Sequence, residues 1–340
     1  MRFRHGFIEG SSRRAGHIDE LLSAEYDVAV LAGSWDDRCL AITSAQRFSA
    51  KAVLLISFAD NDPGGKPKQE ANEEHLRTYL ANKGVVLATL EDVTEDVNTE
   101  FVRLWDMLLP FVATGRTRVF VDLSACPRYY TLGVIAGLLR IGLASQVDVL
   151  YSEATYPATG TSPHPTDVPF SEGRWRCEPI PYLNGQFQPS KPLLHVVSVG
   201  FEGGKTVRLL EKEEATHVTL LFPIPGVIER YDAEVWERNK PVIARFSVPE
   251  QRILRAQAAD PVAAWRAVVS SHMALDGSQV KYLCCGTKAH SLGLALSALR
   301  TENATVMYNV PEKHRFVETV ASGTYWLYRI RDLSVPEGSL

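Results

Sequence analysis

The sequence predicts an α/β protein made of two tandem Rossmann-like domains, each a mainly parallel sheet with helices on both faces. Three observations lead to this prediction. Short apolar runs alternate with stretches of helical spacing, both halves of the chain repeat the same order of elements, and a proline-rich stretch separates the halves. With 340 residues, of which 45% are hydrophobic, the chain can bury two ordinary cores.

The first domain is predicted to cover residues 1–156 and to alternate strands with helices. Its predicted strands are Tyr26–Ala32, Ala52–Phe58, Val85–Leu90, Arg118–Leu123 and Val147–Ser152, and its predicted helices are Cys39–Phe48, Glu70–Lys83, Thr99–Thr114 and Tyr130–Arg140. Gly84 and Gly115 directly follow two of these helices, at the position where glycine commonly terminates a helix. This alternation is typical of a parallel sheet that is covered on both faces.

A break in the pattern covers residues 157–190. Seven prolines lie in this stretch, and proline disfavours both helix interiors and central strands. The stretch is therefore predicted to be a linker, with an edge hairpin around Arg174–Leu183.

The second domain, residues 191–340, repeats the order of the first. Its predicted strands are His195–Val199, His217–Phe222, Pro241–Val248, Val280–Cys285 and Ala304–Tyr308, and its predicted helices include Val262–Met273 and Ser291–Arg300. A repeat of this length indicates a domain duplication rather than a solenoid unit. We expect the two domains to be related by a pseudo-two-fold axis.

The most informative motif follows the predicted strand Arg118–Leu123. Asp122, Ser124 and Arg128 lie there, just before the helix Tyr130–Arg140. Backbone N–H groups and the helix dipole favour an anionic ligand where a parallel strand ends and a helix begins. A carboxylate, a hydroxyl and a cation at this place can hold a ribose and a phosphate. The alternatives are a helix N-cap role for the aspartate and serine and a surface salt bridge for the arginine.

The second half carries a related motif, Gly286, Thr287 and Lys288, after the predicted strand Val280–Cys285. The two motifs together resemble those of the CARF superfamily (CRISPR-associated Rossmann fold) and its fused-pair relative SAVED. That family motif is Asp or Asn, any residue, Ser or Thr, three residues, then Arg or Lys. The first copy fits it position by position, whereas the second lacks the acidic or amide residue.

The loop after the first strand of each half is a further candidate. In the first half, Gly33 and Ser34 could offer backbone N–H groups to a phosphate, and Trp35 could stack on a base. The alternative is a tight turn in which Trp35 caps the core.

In the second half, the corresponding loop contains Gly200, Gly203, Lys205 and Thr206. It resembles a Walker A motif but has one residue too few between its first glycine and the Gly-Lys-Thr sequence. This loop is predicted to cradle a phosphate, with a simple flexible turn as the alternative, and ATP hydrolysis is not expected.

The resemblance implies a sensor of the bacterial antiviral-defence type. Such a protein would bind a cyclic oligonucleotide or a related nucleotide second messenger in the cleft between its domains, and would signal to a separate effector chain. One alternative is a structural or adaptor subunit of a defence complex with degenerate pockets. Another is a metal-independent ring nuclease that degrades the messenger, with Lys288 or Arg128 stabilising the transition state. Catalytic residues are not identified, and Cys126 and Cys285 are interpreted as small buried residues.

Composition and charge argue against several other classes of protein. A formal net charge of −4 and a pI near 6.2 argue against broad nucleic-acid binding. No apolar run reaches the roughly 18 residues of a membrane span, and the first residues do not resemble a secretion signal. Five cysteines without C-x-x-C spacing indicate thiols in a reducing cytoplasm and no zinc site. No cofactor is expected, and a homo-oligomer is compatible with the sequence.

Overall fold

The computed structural model describes residues 1–6, 8–22, 25–59, 63–94, 96–112, 117–155, 171–272, 278–314, 316–317 and 319–332. These residues form two compact α/β units. The first unit consists of Arg2–Arg174 and Pro311–Leu340, and the second unit consists of Trp175–Val310 together with Met1.

Strands and helices alternate along most of the chain, as in an α/β fold. The strands are β1 (Arg2–His5), β2 (Ile8–Ala15), β3 (Tyr26–Gly33), β4 (Ala50–Phe58), β5 (Val86–Val93), β6 (Thr117–Asp122), β7 (Ala144–Thr155), β8 (Ser171–Pro179), β9 (Leu193–Ser198), β10 (His217–Pro223), β11 (Ile253–Ala256), β12 (Gln279–Cys284), β13 (Ala304–His314) and β14 (Val320–Asp332). The α-helices are α1 (Lys66–Asn82), α2 (Val97–Leu108), α3 (Arg128–Arg140), α4 (Gly203–Lys212), α5 (Arg230–Arg245), α6 (Pro261–His272) and α7 (Lys288–Ala298).

Each unit contains one sheet with a parallel core. The order in the first unit is β1-β2-β14-β7-β6-β3-β4-β5, and in the second it is β11-β10-β9-β12-β13-β8. The strands from β3 to β7 pair in parallel, as do those from β9 to β13. Counted from β3 and from β9, both cores have the order third, second, first, fourth, fifth. The predicted fold class is thus confirmed, while the pseudo-two-fold relation stays a prediction.

The helices after β6 and β12 repeat a packing detail as well as a position. Gly133 is the sixth residue of α3, and Gly293 is the sixth residue of α7. A Cβ at Gly133 would lie 2.5 Å from the Phe101 ring of α2, and one at Gly293 would lie 2.7 Å from the Pro261 carbonyl oxygen of α6. In both units, glycine at this position lets the preceding helix pack closely.

One predicted strand is wrong. Pro241–Val248 lies mostly in α5, and the strand at the corresponding sheet position is β11. The buried side chains of α5 include Tyr231, Val235 and Val242, which recur at helical spacing. The segment was predicted as a strand because it occupies the place of Val85–Leu90 in the repeated order, but it is buried through this helical face instead.

Two predicted helices differ in length or type. The segment predicted as helix Cys39–Phe48 is a 3-10 helix, Asp37–Ser44. The predicted helix Thr99–Thr114 corresponds to α2, which gives way to a 3-10 turn at Leu109–Phe111. Pro110 explains the change, since proline cannot donate the backbone hydrogen bond that would continue an α-helix. Residues 113–116 lie outside the described residues.

The structure also divides the chain differently from the predicted boundaries. The predicted linker contains β8, which is an edge strand beside β13, and residues 156–170 lie outside the described residues. The end of the predicted second domain belongs to the first unit, because β14 pairs antiparallel with both β2 and β7. The first sheet therefore combines a parallel core with an antiparallel extension made from both chain ends.

Candidate functional site

The predicted binding residues all lie near the place where the strand order reverses. This reversal falls between β3 and β6 in the first unit and between β9 and β12 in the second. In open α/β sheets, ligands bind at the carboxyl ends of the strands at such a switch point. We call residues 33–38 and 122–128 the first switch site, and residues 200–206 and 285–288 the second switch site.

In the first switch site, the side chains of Asp122 and Ser124 bond to their own loop and to strand β7. Asp122 is buried, and its Oδ1 accepts a hydrogen bond from the Ser124 backbone N–H at 2.7 Å. The Oγ of Ser124, also buried, accepts from the backbone N–H of Ser152 in β7 at 2.9 Å. Neither caps α3, whose N-cap residue is Pro127. Asp122 and Ser124 thus fix the loop against the neighbouring strand.

A buried ion pair closes the other loop of this site. The Arg38 Nη2 lies 2.6 Å from Asp36 Oδ2, with the two side chains only 9% and 12% exposed. The same guanidinium donates to the Ser152 carbonyl oxygen at 3.4 Å and lies over the Tyr151 ring. Ser34 contributes its Oγ as acceptor for the Asp36 N–H. Both loops of the first switch site are therefore tied to the same residue of β7.

A carboxylate covers the glycine at the end of β3. A Cβ at Gly33 would overlap the side chain of Glu73 from α1. The Glu73 carboxylate accepts hydrogen bonds from Ser57 Oγ at 2.9 Å and from Gln69 Nε2 at 3.0 Å. Since phosphate groups approach glycine-rich loops through the space above the glycine, this carboxylate disfavours an anion at Gly33.

Trp35 packs within its own unit. Its ring lies edge-on to Phe316 at a centroid separation of 6.2 Å, and a Cβ at Gly65 would lie 2.7 Å from the indole. These contacts correspond to the alternative in which the tryptophan covers the turn rather than stacking on a base.

In the second switch site, the two loops are held close together at glycines rather than by an ion pair. A Cβ at Gly200 would lie 2.9 Å from the Cys285 carbonyl oxygen, and one at Gly286 would lie 2.5 Å from the Val199 carbonyl oxygen. The two loops approach each other so closely that a side chain at either glycine would displace backbone. The backbone N–H groups of Cys285 and Gly286 donate to Ser198.

Gly203 allows a similar approach between helices. A Cβ at this first residue of α4 would overlap the Arg238 carbonyl oxygen of α5. The nearby Asn239, which is fully buried, donates from Nδ2 to the Gly200 carbonyl oxygen at 2.8 Å. The glycines that resemble a Walker A motif thus have packing roles in this loop.

Lys288 begins α7 just as Arg128 begins α3, and both side chains are partly exposed. Before Lys288, the Oγ1 of Thr287 donates to the Ala258 carbonyl oxygen at 2.8 Å and accepts from the His290 N–H at 3.1 Å. Thr287 therefore acts as the N-cap of α7. The repeated feature of the two motifs is a cation at the first residue of a helix.

A cluster of an indole and two cations flanks the second switch site. Lys205 Nζ lies 4.7 Å from the centroid of the Trp175 ring, and Arg208 Cζ lies 5.1 Å from it. Lys205 also pairs with Glu202. Burial and, to a lesser extent, the adjacent positive charge of Arg208 lower the pKa of Lys205 to about 8. An aromatic face beside cations is the kind of surface that binds nucleotides.

Two buried donors in this region find no hydrogen-bond partner in the described part of the chain. They are the Nε1 of Trp175 and the Oγ1 of Thr206, which follows Lys205 in α4. Because unsatisfied buried donors are uncommon, each is a candidate contact for a ligand oxygen. The sequence interpretation missed Trp175 because it lies in the predicted linker, although residues 171–178 alternate in the manner of a strand.

The two switch sites differ in formal charge. The first contains three carboxylates and two cations, which gives a net charge of −1. The second contains two lysines and one glutamate, which gives +1. With Glu73 beside the first site, an anionic ligand is electrostatically favoured only at the second.

Within the described residues, no three His, Cys, Asp or Glu side chains come together in a way that could hold a metal ion. None of the helices in the described segments is long and apolar enough to cross a membrane. Comparison of the sequence with models of known protein families and with curated proteins finds no match. The resemblance to the CARF and SAVED proteins therefore depends on the motif residues alone and stays a prediction.

Proposed function

We propose that this chain is a sensor that binds a phosphate-bearing nucleotide, of the cyclic oligonucleotide class, at the second switch site. The observation that carries the proposal is the grouping of Lys205, Arg208 and Trp175 beside the point where the strand order reverses. Ligands of open α/β sheets bind at that point, and this grouping offers positive charge and an aromatic face together. Signalling would pass to a separate effector protein, as the family resemblance implies.

Each residue of the site has a role that follows from its chemistry. Lys205 and Lys288 would neutralise phosphate charge as point cations. The unsatisfied N–H of Trp175 and hydroxyl of Thr206 would donate to phosphate or ribose oxygens. Charge-assisted hydrogen bonds of this kind contribute about 1.5–3 kcal/mol each.

A second candidate function, that of an adaptor subunit, is supported by the first unit. There the motif atoms of Asp122 and Ser124 bond to their own loop and to β7, and a carboxylate covers Gly33. A pocket closed in this way fits a structural role. The adaptor candidate would extend this role to the second unit as well.

The test begins with the small molecules that accompany the purified protein. We expect mass spectrometry of the supernatant after heat denaturation to detect a nucleotide carrying phosphodiester bonds. Titration with cyclic di-, tri- and tetra-adenylate should then reveal binding that a Lys205→Ala/Lys288→Ala variant weakens by at least about 100-fold, because two such contacts are lost.

The matched control is Arg140→Ala/Arg300→Ala. These arginines lie at or just after the ends of α3 and α7, far along the helices from the switch sites, and both are exposed. The control should bind like the unmodified protein. A folded protein that releases no nucleotide and binds none of the probes would favour the adaptor function, and loss of intact probe during incubation would identify a ring nuclease.

A further inference from the structure

The antiparallel extension of the first sheet carries a basic pocket of about 240 Å³. It is lined by Arg2, Glu9, Ser11, Arg329 and Arg331. The residues come from three adjacent strands, β1, β2 and β14. Three arginines against one glutamate give the lining a net charge of +2.

The strand register explains why these side chains meet. Ser11 of β2 lies opposite Arg2 on one side and opposite Arg329 on the other, while Glu9 lies opposite Arg331. Residues two apart in a strand point to the same face of the sheet. The lining is therefore a two-row patch on one face, fixed by backbone pairing.

The pocket lies at the other end of the sheet from the first switch site. Strand β14 runs antiparallel to β7, so that Arg331 pairs with Gln146 near the start of β7 whereas Tyr325 pairs with Ser152 near its end. The switch site lies at the carboxyl ends of the parallel strands. The proposed nucleotide site belongs to the second unit, so an inference about this pocket is independent of the proposed function.

Arg329 is held in position from the neighbouring strand β7, where Asp148 lies directly opposite it. Its Nε and Nη2 donate to the carboxylate of Asp148 at 2.9 and 2.8 Å, a two-point contact to a fully buried group. Tyr26 and Gln146 donate to the same carboxylate, each at 3.0 Å. Because four hydrogen bonds fix Asp148, the guanidinium that it holds is preorganised at the edge of the pocket.

Further positive charge lies in the same region. Arg118 of β6 pairs with Gln146, which in turn pairs with Arg331, so the three residues form one row across the sheet. The Nε of Arg118 is buried and has no hydrogen-bond partner among the described residues. Arg2 pairs with Glu9 at the opposite rim and Arg329 pairs with Asp148, so two of the three lining arginines are offset by carboxylates.

We propose that this pocket binds a small phosphate-bearing anion, such as a phosphate monoester or diphosphate group. Arginine guanidinium groups match phosphate oxygens with paired donors, and Ser11 adds a hydroxyl to the same wall. The volume lies below the roughly 300–1,000 Å³ that is typical of pockets for drug-sized ligands. A compact anion fits this space, whereas a whole cyclic oligonucleotide does not.

The experiment is calorimetric titration of the full chain with inorganic pyrophosphate. We expect saturable binding that Arg331→Ala weakens at least tenfold and that Arg331→Lys restores only in part, because lysine lacks the planar fork. The matched control is Arg13→Ala, an exposed arginine of β2 outside the pocket lining, which should change the affinity less than twofold. Arg331 is chosen over Arg329 because removal of Arg329 would leave the Asp148 carboxylate buried without its cation.

Three results would overturn the proposal. They are absence of saturable binding by the folded protein, equal weakening by Arg13→Ala, which would indicate nonspecific attraction, and binding of malonate as tight as that of pyrophosphate. The Lys205→Ala/Lys288→Ala variant should bind pyrophosphate at this pocket unchanged, so failure of the proposed function would not affect this outcome.

Discussion

The two switch sites lie at equivalent positions in sheets of the same core strand order, but different contacts hold their loops together. In the first unit, the loops after β3 and β6 are joined through polar side chains, with Asp36, Arg38 and Ser124 all tied directly or indirectly to Ser152. In the second unit, the loops after β9 and β12 meet backbone to backbone at Gly200 and Gly286. A shared strand order thus does not imply a shared site.

The difference has a functional consequence. In the first site, the polar side chains that a ligand would need bond to the loops and to β7. Carboxylates also outnumber cations there. Glycine closure needs no side chains, and the second site contains Lys205 and Lys288 and has a positive net charge. We therefore expect ligand binding to depend on the second unit and stability of the first to depend on its ion pair.

The largest expected effect on stability comes from removing the ion pair between Asp36 and Arg38. Asp36→Ala should lower the free energy of unfolding of the first unit by about 3–5 kcal/mol, because it leaves the buried Arg38 without its counter-charge. The measurement is urea unfolding, monitored separately for each unit by hydrogen exchange of its peptides.

The neighbouring Asp37 provides the matched control. Its side chain is 45% exposed and pairs with Lys68 at 2.9 Å. Asp37→Ala should cost no more than about 1 kcal/mol, as exposed ion pairs contribute little. Equal costs for the two variants would show that the ion pair does not close the first site.

The second unit should be sensitive to acid. Burial lowers the pKa of His195 and of His290 to about 4, and the neighbouring Lys281 adds to the shift of His195. The unfolded chain therefore binds more protons than the folded one between about pH 6.5 and pH 4. Stability of the second unit should fall as the pH drops through this window, by on the order of 3 kcal/mol per histidine at pH 4.

A variant separates this effect from the titration of carboxylates. His195→Gln should flatten the pH dependence of unfolding of the second unit, whatever its stability at pH 7. Hydrogen exchange at pH 7, 6, 5 and 4.5 provides the comparison. An unchanged slope in the variant would mean that His195 does not titrate with a lowered pKa.

The packing of α4 against α5 can be tested with two adjacent glycines. Gly203→Ala should destabilise the second unit by about 1–3 kcal/mol, because its Cβ would overlap the Arg238 carbonyl oxygen. At Gly204 nothing lies within 4 Å of an added Cβ, so Gly204→Ala should stabilise α4 by about 0.5–1 kcal/mol. Thermal unfolding of both variants gives the sign directly, and a stabilising Gly203→Ala would contradict the packing role.

Much of the fold could be predicted from the hydrophobic pattern and from the turn residues that end each apolar run. The apolar runs at β3, β4, β6, β9, β10 and β12 are buried on both faces and are bounded by turn residues. A further sequence similarity between the two halves was present but unused: α3 and α7 share a Leu-Gly pair, at Leu132-Gly133 and Leu292-Gly293. Strand β14 was missed because its partners are distant in sequence, so no local pattern indicated its place in the first sheet.

The site was predictable only to the level of loops. The motif identified which loops lie at the switch points, since that depends on strand order. It could not show which groups Asp122 and Ser124 bond to, because hydrogen-bond partners such as Ser152 come from other strands. Trp175 was missed for the same reason, because its neighbours Lys205 and Arg208 lie about 30 residues later in the chain.

The central claim is that the second unit binds the nucleotide, and two matched single variants test it most directly. Arg128 and Lys288 are each the first residue of the helix after the switch point. Affinity for the best-binding cyclic adenylate should be measured for Arg128→Ala and Lys288→Ala under identical salt conditions. We predict that Lys288→Ala weakens binding at least tenfold and that Arg128→Ala changes it less than threefold, whereas a larger loss for Arg128→Ala would contradict the account.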